Sequence, residues 1–239
     1  MYKTGKLYLT PDLKMSDVIL NNPYLLLMIE HFGVEMPLQE KTIQEICIEN
    51  SINLDLFLTF ANFYNENNYT PSIQFSHDEM HCIVNYLKNS HKYYSEEIYP
   101  KILTTIHEMF AANTHKEMAM VEKFFEEYFF EVQEHLKYEN EIVFPYILDF
   151  YDKVRNNIKI EKKKKYSVGE YKDHHEDIEE KLNDLRNLLI KYLPQENDQI
   201  LRRKLLFSLF ELEYDLNIHS QIEDTILIPL VSRMENQNQ

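Results

Sequence analysis

His135-Leu-Lys-Tyr-Glu139 and His219-Ser-Gln-Ile-Glu223 set an imidazole and a carboxylate four residues apart in two distant parts of the chain. Each pair is followed by Asn140 or Asp224, then by an Ile-containing apolar run closed by Pro145 or Pro229. The step from His to Pro is ten residues in both copies. Residues four apart share one face of a helix, so each copy aims both groups the same way. Two such faces meeting in a helical core could hold a pair of metal ions. Carboxylates would bridge the cations and imidazoles would complete their coordination. A surface ion pair explains one copy, and a packing repeat explains the apolar residues of both. Neither explains why His and Glu return at the same offset.

The segments that must position these faces read as helix almost throughout. Residues 1–72 form a small unit of short helices. Ser16 can cap the first, Asn22-Pro23 opens the next, and Gly33 ends it. Thr42-Ile-Gln-Glu45 is a capping box, and 53–64 carries a broad apolar face through Leu54, Leu56, Phe57, Leu58, Phe60 and Phe63. The polar run from Asn65 to Pro71 is a linker. Beyond it the segments lengthen. Ser76-His-Asp-Glu79 is a second capping box and opens a helix reaching about Phe110. A second helix spans Lys116 to Asp152, a Lys-rich loop covers 156–167, and a third helix covers Val168 to Tyr192. Pro194 and Asp198 mark the last boundary, and a fourth helix runs to about Met234. The expected fold is all-α: an up-down four-helix bundle over 73–239, preceded by a small helical domain over 1–72. No alternating strand pattern of useful length occurs.

Candidate ligands fall on each long helix. The first offers His91, the second His135 and Glu139, the third His175 with His174 beside it, and the fourth His219 and Glu223. If both carboxylates bridge, each metal receives imidazoles and bridging oxygens, and positions stay open for exogenous ligands, as in reactive rather than structural sites. Imidazole and carboxylate suit iron, manganese or zinc, while the lack of thiolate disfavours copper(I) and iron–sulfur clusters. The remaining histidines have plainer expected roles. His77 and His81 sit in a first helical turn facing solvent, His31 near a helix end, His107 on a helix surface and His115 at a helix junction. Tyr93, Tyr94, Tyr138 and Tyr214 lie near the ligand turns, as packing residues or as outer donors to the site.

Composition narrows the function classes. With 239 residues, 44% hydrophobic and 27% charged, the chain can build a substantial core. It has 3 Gly and neither a P-loop nor a dinucleotide-binding motif, so nucleotide binding lacks support. A net charge of −15, from 40 acids and 25 bases, repels nucleic-acid phosphates. The run from Glu161 to Lys165 is the basic exception and reads as a solvated linker. Cys47 and Cys82 form no C-x-x-C and sit in apolar helical contexts, as buried inert thiols do. No apolar run reaches transmembrane length and Met1 to Leu7 lacks the apolar segment of a secretory signal. The expected location is cytoplasmic, with no membrane partner.

Taken together, His91, His135-x-x-x-Glu139, His175-Glu176 and His219-x-x-x-Glu223 resemble the hemerythrin-like (HHE cation-binding) superfamily, specifically the bacterial repair-of-iron-centres di-iron proteins. Thr114-His115-Lys-Glu-Met118 is similar to an element that family carries before its second helix. The resemblance covers residues 75–232 and favours His175 over His174. It implies a non-haem di-iron centre, oxo- or hydroxo-bridged, with His91, His135, His175 and His219 as terminal ligands and Glu139 and Glu223 as bridges. The family also carries a small N-terminal helical domain with a Cys-Cys-Gly-Gly turn. Residues 12–66 are similar in helix order, but the turn here reads Glu30-His31-Phe32-Gly33, without either cysteine.

The resemblance implies a role in oxidative or nitrosative stress, with O2, NO or peroxide as small ligands and repair of iron–sulfur centres through iron release or redox chemistry. The alternative is a hemerythrin-type O2 or NO sensor that docks a protein partner through its N-terminal domain. A bundle without metal is the third class. Carboxylate-rich di-iron oxygenases use more Glu and fewer His, so substrate turnover is the less favoured expectation.

Overall fold

A computed structural model describes residues 8–66, 69–71, 75–112, 116–158, 178–194 and 197–237. Among them the regular elements are helical, apart from a single antiparallel bridge between Lys14 and Thr42. The all-α expectation therefore holds. The chain divides into two compact units, Met1–Asn89 with Ile218–Gln239, and Ser90–Asn217.

In the first unit, α1 (Met15–Asn21), α2 (Leu25–His31), α3 (Ile43–Glu49) and α4 (Leu54–Asn65) are short and depend on mutual packing. Thr42 and Glu45 make the expected reciprocal capping box. The expected cap by Ser16 does not form: α1 begins at Met15 behind Lys14, whose backbone is held by the bridge to Thr42. Asn22 does not cap α2 directly. Its Oδ1 accepts from Tyr24 N, its Nδ2 donates to Tyr64 O, and the helix starts at Leu25. Gly33 ends α2 at φ 73°, with Val34 N donating back to Ile29 O, the closure that a left-handed glycine allows. Phe32, Phe57, Phe60 and Tyr86 form an aromatic cluster at ring separations of 4.7 to 5.4 Å.

Cys47 is buried and its thiol is pushed up to about 12, by burial and then by the neighbouring Cys82; Cys82 is pushed up to about 11 by burial and then by Glu79. Both stay protonated near neutral pH and are poor nucleophiles. Native protein at pH 7 should react with a disulfide-exchange reagent far more slowly than denatured protein; equal rates would contradict this. Unfolded thiols ionise first, so their contribution to stability is intact below pH 9 and falls as pH rises towards 11 to 12.

The longer helices are α5 (Met80–Tyr93), α6 (Tyr99–Ala112), α7 (Lys116–Tyr138), α8 (Phe144–Arg155), α9 (Ile178–Asn187), α10 (Gln199–Ile222) and α11 (Ile228–Gln237). Both α5 and α10 contribute residues to each unit. Within the second unit α6 and α9 each pack on α7. There Tyr99 stacks on Phe129 at 4.7 Å and donates to Tyr128 Oη at 3.0 Å. Arg202, in the first turn of α10, donates to the carbonyls of Leu189, Leu193 and Pro194 and to Asp198 Oδ2. Those carbonyls close the helical segment that ends before Pro194, so one guanidinium satisfies a buried helix end. Arg202→Met should destabilise the protein by about 3 kcal/mol, because it strips a charge partner from fully buried Asp198. The urea midpoint should fall with an unchanged slope. An unaltered midpoint would contradict the assignment.

Four single π-helical turns interrupt or end these helices: Tyr94–Ile98, Glu139–Val143, Leu188–Tyr192 and Glu223–Leu227. In each, the residue after the turn donates its N–H to the first residue of the turn, as Phe144 does to Glu139 O and Ile228 to Glu223 O. A proline follows the first residue of each turn by six positions, at Pro100, Pro145, Pro194 and Pro229. Proline has no N–H and its ring crowds the carbonyl four residues back. A widened turn before Pro100, Pro145 and Pro229 lets the helix continue through a residue that would otherwise break it. These three prolines do not end their helices.

Candidate metal centre

One carboxylate faces two imidazoles around the π turn that follows α7. Glu139 opens the π turn after α7 and is fully buried. Its Oε2 lies 3.2 Å from His91 Nε2 and its Oε1 lies 3.2 Å from His135 Nε2. One oxygen therefore faces each imidazole, as a carboxylate shared by two cations would. His91 is 2% exposed and His135 is 17% exposed, so the first ring is sealed and the second reaches towards the surface. His91 stacks on Phe144 at 5.3 Å, and its Nδ1 lies 3.2 Å from Asn140 Oδ1.

The second copy of the motif stands at the π turn after α10. Glu223 opens the π turn after α10, fully buried, with Oε1 3.3 Å from His219 Nε2. Placing Glu139 and Glu223 at the head of a π turn gives both copies the same local backbone, which is why the matching prolines recur downstream.

His91, Glu139, His219 and Glu223 are buried, and each offers one ligand atom such that the four atoms lie within 4.8 Å of one another. This group could hold a metal ion. Its donors are imidazole nitrogens and carboxylate oxygens with no thiolate, a set that fits iron, manganese or zinc. His135 stands outside the group of four but faces Glu139. His175 and its competitor His174 lie outside the described residues, as do His115 and the basic run at 161–165.

The other expectations sort by position. His107 is 48% exposed beside Glu122 on α7, and His81 is exposed. His31 is the last residue of α2, at the helix end as expected, and is buried: it packs edge-on to Tyr86 at 5.3 Å, and its carbonyl accepts from Asn89 Nδ2. Tyr93 and Tyr94, near the ligand turns, meet acids. Tyr94, first residue of the π turn beyond His91, donates to buried Asp215 at 2.7 Å, and Tyr93 donates to Glu211 at 2.8 Å. Burial, followed by Glu211, raises the Tyr93 phenol above its ordinary range, so it remains a hydrogen-bond donor. The π turns were not expected from the sequence, although Pro100, Pro145 and Pro229 each fall inside a long helical pattern.

No helix among the described residues is long and apolar enough to cross a membrane. No protein-family profile, curated protein or solved structure matches the chain.

Proposed function

We propose that the chain is a non-haem di-iron protein of oxidative and nitrosative stress, built as a hemerythrin-like four-helix bundle behind the helical domain of residues 1–72. The observation that carries this is the buried His91, Glu139, His219 and Glu223 group. Burying two carboxylates and two imidazoles together is costly unless something offsets the desolvation, and a cation does so. His135, facing the second oxygen of Glu139, supplies the further imidazole that a second metal needs. His175 is assigned as the remaining terminal ligand through the resemblance. When bound, iron would supply Lewis-acid and one-electron chemistry towards O2, NO or peroxide. The chain's part is to hold the ions with Glu139 and Glu223, orient the imidazoles and exclude bulk water.

The turn at Glu30-His31-Phe32-Gly33 is occupied by packing, with buried His31 on Tyr86 and Phe32 among Phe57 and Phe60. Without thiols there, iron release or redox change in the bundle is the proposed route to cluster repair. The second reading is a sensor that docks a partner through residues 1–72, where Leu20, Met36 and Ile48 are exposed.

The two readings separate on anaerobic ferrous protein challenged with NO, peroxide or O2 beside a coloured iron chelator. Release of iron to the chelator on challenge is expected for the repair role. Reversible ligand binding with iron retained would favour the sensor, and no response from loaded protein would contradict both.

A further inference from the structure

We infer that Asn140 is a positioning residue that fixes the tautomer and orientation of His91, so that His91 Nε2 carries the lone pair offered to a metal. The inference rests on the metal-binding reading above and adds a residue outside its ligand set.

The His91 ring is met at both nitrogens and on one face. Nε2 lies 3.2 Å from Glu139 Oε2, Nδ1 lies 3.2 Å from Asn140 Oδ1, and one ring face stacks on Phe144 at 5.3 Å. An amide oxygen only accepts, so the nitrogen facing it carries the proton. With Nδ1 protonated, Nε2 on the Glu139 side is the nitrogen whose lone pair a metal would take, in place of a proton shared with Glu139 Oε2. Were the amide reversed, its NH2 would require a lone pair on Nδ1. The proton would then sit on Nε2 and close that atom to metal. Ligating histidines commonly hold their second nitrogen on an oxygen in this way.

The backbone explains how neighbouring residues reach one imidazole. Glu139 and Asn140 are consecutive, and Phe144 is the first residue beyond their π turn. In a regular helix consecutive side chains diverge by about 100°. The wider π turn reduces that divergence and brings both side chains to His91. The copies of the motif part company here. Asp224, in the place matching Asn140, is exposed, so this support belongs to one half of the repeat.

The test uses the full chain with zinc(II), whose closed shell keeps ring signals sharp, in wild type, Asn140→Leu and Asn140→Asp. Wild type should show the His91 Nδ1–H as a slowly exchanging, downfield proton in a 15N-resolved spectrum of the zinc form. Asn140→Leu should lose that signal and bind zinc 10- to 100-fold more weakly in chelator competition, the scale of lost outer-shell support. Asn140→Asp keeps the acceptor and should restore the signal, shifted further downfield, with affinity within a few-fold of wild type. Equal affinity and an unchanged ring signal in Asn140→Leu would overturn the role of Asn140 while leaving the metal site standing. Equal weakening in the Leu and Asp variants would reduce Asn140 to packing and overturn it as well. Failure of folded wild type to take up zinc or iron would overturn both readings.

Discussion

Glu139→Ala should strip metal from the chain, whereas His135→Ala should leave most of it in place. Glu139 is fully buried and turns one oxygen to His91 and the other to His135, so on the proposed two-metal reading its loss removes a shared donor. His135 is partly exposed and lies outside the buried group of four, so on the same reading its loss removes one terminal donor that water can replace. Losing outer-shell support alone lowers affinity by about 10- to 100-fold, and losing a shared inner donor should exceed that range. The measurement is iron per folded chain after anaerobic loading and desalting, with helical circular dichroism as the control for folding. Glu223→Ala, the matching change in the second copy, should behave like Glu139→Ala. Equal and full occupancy in Glu139→Ala and His135→Ala would contradict the bridging assignment.

Metal should raise the melting temperature by about 10 °C. The metal-free chain must bury Glu139, Glu223, His91 and His219 together, and their mutual pairing only partly offsets their desolvation. A cation bound to the native state stabilises by mass action, about 4 kcal/mol when free metal is 1,000-fold above Kd. For a chain of this length each kcal/mol shifts the midpoint by about 2–4 °C. Unfolded histidines compete for metal, which places the expected shift towards the lower end of that product. The shift should vanish in Glu139→Ala and persist, reduced, in His135→Ala. Scans with iron(II) under anaerobic conditions and with a chelator provide the comparison. Coincident midpoints in wild type would contradict a native metal site.

What was legible in the sequence followed from interactions within one or two helical turns. The Thr42–Glu45 box spans three residues and formed as read. Gly33 ended its helix because only a left-handed residue lets Val34 close on Ile29. His219 and Glu223 came together because four residues make a helical face. What was not legible depends on distant chain. Ser16 had the right chemistry to cap α1, but Met15 N donates to Lys41 O and Ile43 N to Leu13 O, so the start of the helix is set from another segment. Asn140 acquires a role only because His91, 49 residues away, brings its Nδ1 to it. Arg202 belongs to no local motif, yet it closes the helix end before Pro194. The helix was read past Pro145 to Asp152, and it ends at Arg155; the π turn that lets it pass the proline was not legible.

The most direct test of the central claim is metal content with an optical spectrum, on untagged full-length protein purified without oxygen from iron-replete cells and then exposed to air. About two irons per chain, with near-ultraviolet ferric absorption growing after air, is the expected result. Folded protein that contains no iron, and takes none up anaerobically, would contradict the di-iron assignment.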